Sequence, residues 1–185
     1  MQKPFEDLSR EFAASIAEVV DAHAGTFDGQ KVTGLALCPA DDHLVPYLGV
    51  VFAGDTDDPD APIEEVYGQW SPEESGEEIS NERLDAASNS TNDLASAWPE
   101  ESWASFGPLL RQALVEALGA PAVREALTRN GWDPILYLFL AGEGVVDGES
   151  LPVLNPGRQA DPDYRALERL TGVWLPAPGT RTAQE

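Results

Sequence analysis

The chain has a single cysteine, Cys38, so no disulfide within it can staple the fold. Its two histidines and that cysteine leave no pair at the spacing of a structural zinc site. The opening "MQKPFEDLSREF" lacks the basic region and apolar run of a secretory signal, so a reduced, cytoplasmic setting is the expectation. The longest apolar runs, "ILYLFLA" at residues 135–141 and "VVFA" at 50–53, fall well short of the ~20 residues that a membrane-spanning helix needs. No Gly-x-Ser-x-Gly elbow, Walker loop or Gly-x-Gly-x-x-Gly turn is present. No cofactor is expected on these grounds, and an enzyme is not the leading expectation.

Positive charge is equally scarce. Eleven Lys and Arg oppose 33 Asp and Glu, for a formal net charge of −22, and only Lys3 and Lys31 are lysines. Such a surface repels nucleic acid and anionic lipid, so neither is an expected partner. The excess is uneven: residues 51–101 hold 15 acids and one base. Charge of that density raises the encounter rate with a basic partner in a salt-dependent way. Solubility, or a saline cytosol, would give the same composition in an acidic housekeeping domain with no electrostatic partner.

The densest acidic segment is "AGDTDDPDAPIEE" at residues 53–65, with Asp55, Asp57, Asp58, Asp60, Glu64 and Glu65 and no base. As a calcium loop it fails. With Asp55 first and Asp57 third, the fifth position is Pro59, the sixth is Asp60 where Gly is wanted, and the twelfth is Val66. No specific metal site is therefore expected. The leading expectation is a protein-binding module that engages a basic partner through residues 55–85, with Tyr67 and Trp70 as aromatic anchors. The alternative is a small ligand-binding domain or enzyme built on the turn "CPADDH", where Cys38, Asp41, Asp42 and His43 are the parts of a cysteine nucleophile site. Against it, Cys38 sits late in an expected strand, where a small buried thiol is ordinary.

Apolar periodicity predicts an α+β fold: one domain over residues 1–175 with a flexible tail at 176–185, and a mainly antiparallel sheet of about four strands packed with several helices. Phe5, Leu8, Phe12, Ile16, Val19 and Val20 recur at helical steps and predict a helix over residues 5–23. "KVTGLALC" and "LVPYLGVVFAG" flank a turn and predict neighbouring antiparallel strands, with "EVYGQW" as a third. Leu84 to Trp98 and Trp103 to Ala117 predict two helices whose apolar faces carry Trp98 and Trp103. Pro121 opens a short helix reaching Arg129, with Asn130 and Gly131 as its stop. "PILYLFLAGEG" is apolar on both alternating sets and predicts a strand buried on both faces, in the middle of the sheet. "AGEGVVDGES" reads as a flexible turn, and a last helix is expected over residues 162–171.

This order of parts, with "VTGLALCPADDHLVPYLGVV", "YGQWSPEES" and "ILYLFLAGEG", resembles the bacterial domain-of-unknown-function family numbered 4303. The likeness covers roughly residues 5–171. It implies no activity and carries over no catalytic residue. In size and acidity such proteins are similar to the immunity proteins encoded beside bacterial toxins, a likeness of type that does not fix function.

Overall fold

The computed structural model of the chain describes residues 2–27, 29–40, 45–52, 61–140 and 143–172. Its elements run α1 (Lys3–Ala22), β1 (Gly34–Ala40), β2 (Val45–Val51), α2 (Ile63–Trp70), α3 (Pro72–Ser75), β3 (Gly76–Ile79), α4 (Glu82–Ala97), a 3-10 turn at Glu100–Ser102, α5 (Trp103–Leu118), α6 (Pro121–Arg129), β4 (Ile135–Leu140), β5 (Val145–Asp147), α7 (Leu151–Leu154), α8 (Pro162–Arg169) and β6 (Thr171–Gly172). Six strands form one sheet in the order β3-β2-β1-β4-β5-β6.

That sheet has six strands where about four were expected, and it is mixed: three of its five pairings are antiparallel, β4 with β5 among them, and two are parallel. β1 pairs antiparallel with β2, and β2 with β3, but β1 and β4 are parallel, as are β5 and β6. The helices α4, α5 and α6 lie between β3 and β4 in the chain and return it to the same end of the sheet, so β4 enters alongside β1. β4 is buried at every position and lies between β1 and β5, as its two-sided apolar pattern implies.

Both faces of the sheet are covered. On one, Leu35, Leu37, Leu48, Val50, Leu136 and Leu138 pack with the apolar stripe of α1 and the buried sides of α4, α5 and α6. Phe5, Trp98 and Phe106 meet edge to face there, with ring centroids 5.3–5.7 Å apart, and Trp103 stacks on Phe106 at 5.0 Å. On the other face, Ala36, Cys38, Ile135, Tyr137 and Phe139 pack with Val66 and Trp70 of α2 and with Tyr164 and Leu167 of α8.

Four local expectations are corrected. "EVYGQW" belongs to the helix α2: Val66 and Trp70, four apart, share a face under a period of 2 as well as 3.6, and Tyr67 packs beside them against Phe139 at 6.2 Å. The third strand is β3, inside the acidic segment. Its Glu77 and Glu78 are exposed and only Ile79 is buried, so backbone pairing to β2 rather than an apolar pattern defines it. Within "AGEGVVDGES", Val145–Asp147 forms β5. The last helix stops at Arg169, and Thr171–Gly172 pairs with β5. Gly131, after α6, takes φ 68°, the left-handed stop expected there. The turn residues Asp41, Asp42 and His43 and the tail beyond residue 172 lie outside the described residues.

Candidate functional site

The segment "QWSPEES" lies close against the sheet because the positions directly beneath it are small, while Val51, Tyr47 and Tyr137 share the same face. Gly34, Ala36 and Cys38 of β1 face this side, next to Gly49 of β2 and Gly76 of β3. A Cβ on Gly34 would lie 3.1 Å from the Trp70 ring, and one on Gly49 would lie 2.8 Å from Pro72 Cβ. At Gly76 it would meet the Val50 carbonyl at 2.6 Å and the Pro72 backbone at 2.7 Å. Gly76→Ala is therefore expected to destabilise the fold by about 2 kcal/mol, the range of overpacking against backbone that cannot yield, read as a lower urea midpoint. Gly49→Ala should cost less, since only the Pro72 ring need shift.

Trp70, the expected aromatic anchor, is thus fully buried: it fills the space above Gly34 and meets Tyr137 edge-on at 6.4 Å. Tyr137, also buried, donates its hydroxyl to the Trp70 carbonyl at 2.9 Å. Tyr67 is half-buried, with its ring against Phe139 and close to Gly144. The helix that places these rings starts after Pro62, and its first turn carries Glu64 and Glu65, both exposed and favourably placed toward the positive end of the helix dipole.

Cys38 is fully buried, in register with Tyr47 on β2. Burial pushes its thiol well above the usual range; a hydrogen bond with Tyr47 opposes that shift, and the nearby Glu73 and Glu78 carboxylates add to it. A reactive cysteine needs the reverse, a depressed pKa and access to solvent. Tyr47 and Tyr137 are likewise driven upward, in both cases chiefly by burial. Asp41, Asp42 and His43, the other members of the alternative ligand site, lie outside the described residues, as do Asp55, Asp57, Asp58 and Asp60.

What the structure adds to the acidic surface is a sequence of exposed carboxylates along the sheet edge. Glu73 and Glu74 lie on α3, Glu77 and Glu78 on β3, and Glu82 in the first turn of α4. Their signal was in the composition of "SPEESGEE"; their place on an edge strand was not. Charges there also block pairing with a further strand. No base pairs with Glu64, Glu65, Glu73, Glu74, Glu77, Glu78 or Glu82 among the described residues.

The arginines are engaged elsewhere. Arg83 bridges Glu11 and Glu18 on α1, and its hydrogen bond holds the Glu11 carboxyl below the usual range. Arg129 does the same for Asp21, which also accepts from Asn130. Arg10 binds Asp7, Arg111 binds Asp147, and Arg158 binds Asp161 and Asp133. Arg124, Arg165 and Arg169 donate to backbone carbonyls, the last to that of Ala61 just before α2. Among the described residues, no group of three or more His, Cys, Asp or Glu is arranged to hold a metal ion, and no helix is long and apolar enough to cross a membrane. No family model matches the chain, and no curated protein or solved structure matches it.

Proposed function

We propose that this chain is a protein-binding module, of the immunity or inhibitor type, that docks a basic partner on the acidic surface running from residue 55 through α2, α3 and β3 to Glu82. The resemblance to the bacterial family numbered 4303 belongs to the same proposal. The observation that carries it is the segregation of charge. All eight described arginines bind groups of their own chain, while the seven glutamates from Glu64 to Glu82 stand exposed and unneutralised. Intrachain contacts engage the arginines, with Arg83 and Arg129 tying α4 and α6 to α1, and leave the sheet edge as a source of negative potential.

Charge of this kind acts on the encounter more than on the final contact. The recognition core is expected beside Tyr67, the half-buried aromatic of the surface, because Trp70 is fully buried against the sheet. The test is capture on the full chain at low and at physiological salt, followed by association kinetics with the captured protein. Replacing Glu73, Glu74, Glu77 and Glu78 together with Gln should slow association at low salt by about tenfold or more and flatten its salt dependence. The same exchange to Asn at Asp55, Asp57, Asp58 and Asp60 probes the start of the surface. An on-rate that both variants leave unchanged at low salt, or a clean eluate at both salts, would overturn the proposal.

A further inference from the structure

Two buried side-chain atoms among the described residues have no hydrogen-bond partner, Trp70 Nε1 and Ser71 Oγ, and they sit on adjacent residues at the junction of α2 and α3. Buried polar groups are almost always paired, because an unpaired one gives up its bonds to water for nothing. Ser71 occupies the N-cap position of α3, and "SPEE" has the residue types of a capping box, yet its hydroxyl caps nothing. The apolar grip of this segment rests on few residues, Trp70 above all. From Ile63 to Ser75 the buried residues are Val66, Trp70, Ser71 and Pro72, whereas α1 buries residues along its whole length. Its polar ties to the rest of the fold include the Tyr137 hydroxyl on the Trp70 carbonyl and Arg169 on the Ala61 carbonyl. Outside, Glu64, Glu65, Glu73 and Glu74 add like charge with no base among them.

We propose that α2 and α3 form a strap that opens locally while the rest of the sheet stays folded, uncovering the face that carries Cys38, Tyr47 and Tyr137. Opening hydrates both unpaired atoms at once, a gain that no other described segment has on leaving the fold. The floor it leaves has small residues at Gly34, Ala36, Cys38 and Gly49 beside the larger Val51, Tyr47 and Tyr137, and β1, β2 and β4 stay paired with one another, so no strand need move. Local openings of this kind draw on the low-stability elements of a fold, those with little buried apolar surface. The inference does not rest on the acidic surface having a partner, and it can hold whether or not one is found.

Cys38 is the reporter, because it is the single thiol and is fully buried in the same apolar cluster as Val66 and Trp70. Alkylation of the intact chain in native buffer should proceed at a rate that barely changes with low urea, well below the slope of global unfolding measured on the same sample. Ser71→Ala removes an unpaired hydroxyl and should slow labelling about tenfold, which is about 1.4 kcal/mol. Tyr137→Phe removes a tie and should speed labelling about fivefold. Amide exchange over residues 63–75, followed by mass spectrometry, should move in the same directions. Labelling that tracks the global slope, or rates that neither substitution shifts once global stability is accounted for, would overturn the strap.

Discussion

Arg111→Met is expected to lower the unfolding free energy by about 3–5 kcal/mol, the range found when one partner of a buried ion pair is removed. Asp147 on β5 is fully buried and has its carboxylate against the Arg111 guanidinium of α5, with Nε 2.8 Å from Oδ2 and Nη2 3.3 Å from Oδ1. Without Arg111 the carboxylate keeps its burial and loses its counter-charge. Glu149, the other carboxylate at this arginine, is 76% exposed and 3.3 Å away, so it adds little through water. The location amplifies the loss. β5 has three residues, two of them paired with β4, and among the described residues it is the only strand to which β6 pairs. Equilibrium urea unfolding checks this, with the slope compared between variants so that a change in midpoint is not confused with lost cooperativity. The double substitution Arg111→Met with Asp147→Leu should recover most of the loss, since a buried pair replaced as a whole by apolar groups is often neutral or better. A single-variant loss below about 1 kcal/mol would mean that Asp147 reaches water after all.

The elements of the fold differ in how far their residues announce them. α1 and β4 were legible because their pattern is dense: six apolar residues at helical steps in one, unbroken burial in the other. β3, β5 and β6 were not, because short strands are held by backbone bonds to a neighbour and need no side-chain period of their own. α2 was ambiguous by arithmetic, since positions 66 and 70 coincide under both periods. For the site, the excess of acid in the middle third was plain from composition. The burial of Trp70 was not, because it depends on Gly34, an absence of side chain 36 residues earlier in the chain. Nor was the engagement of the arginines: which carboxylate meets Arg83 or Arg111 is decided by packing between elements 36 to 72 residues apart.

Asn155 presents the other large effect, and nothing in the sequence around it signals one. The side-chain amide lies against the edge of β4 and mimics a strand residue: Oδ1 accepts from the Leu136 N–H at 2.9 Å, and Nδ2 donates to the Leu136 carbonyl at 2.7 Å. β4 needs this because its two sides are unequally covered. Ile135 bonds toward β1, through its N–H to the Thr33 carbonyl, so Leu136 faces the other way, where β5 pairs only with Phe139 and Leu140. Nδ2 also reaches the Leu151 carbonyl at 2.9 Å, closing α7 against the gap. Asn155→Leu would keep the branching at Cγ but put bulkier methyls in place of the amide, and leave the Leu136 N–H and carbonyl buried without partners, at about 1–3 kcal/mol each before relaxation; a total loss of about 2–4 kcal/mol in urea unfolding is expected. Asn155→Asp separates the two halves of the role, because a carboxylate can still accept from the Leu136 N–H but has no hydrogen for either carbonyl. At neutral pH it should be at least as damaging as Leu, with an ionised group forced against two carbonyl oxygens, and lowering the pH to protonate it should recover stability relative to the parent chain. If Asn155→Asp matched the parent at neutral pH, the amide's donor half would be dispensable, and the gap beside Leu136 would have to be filled some other way.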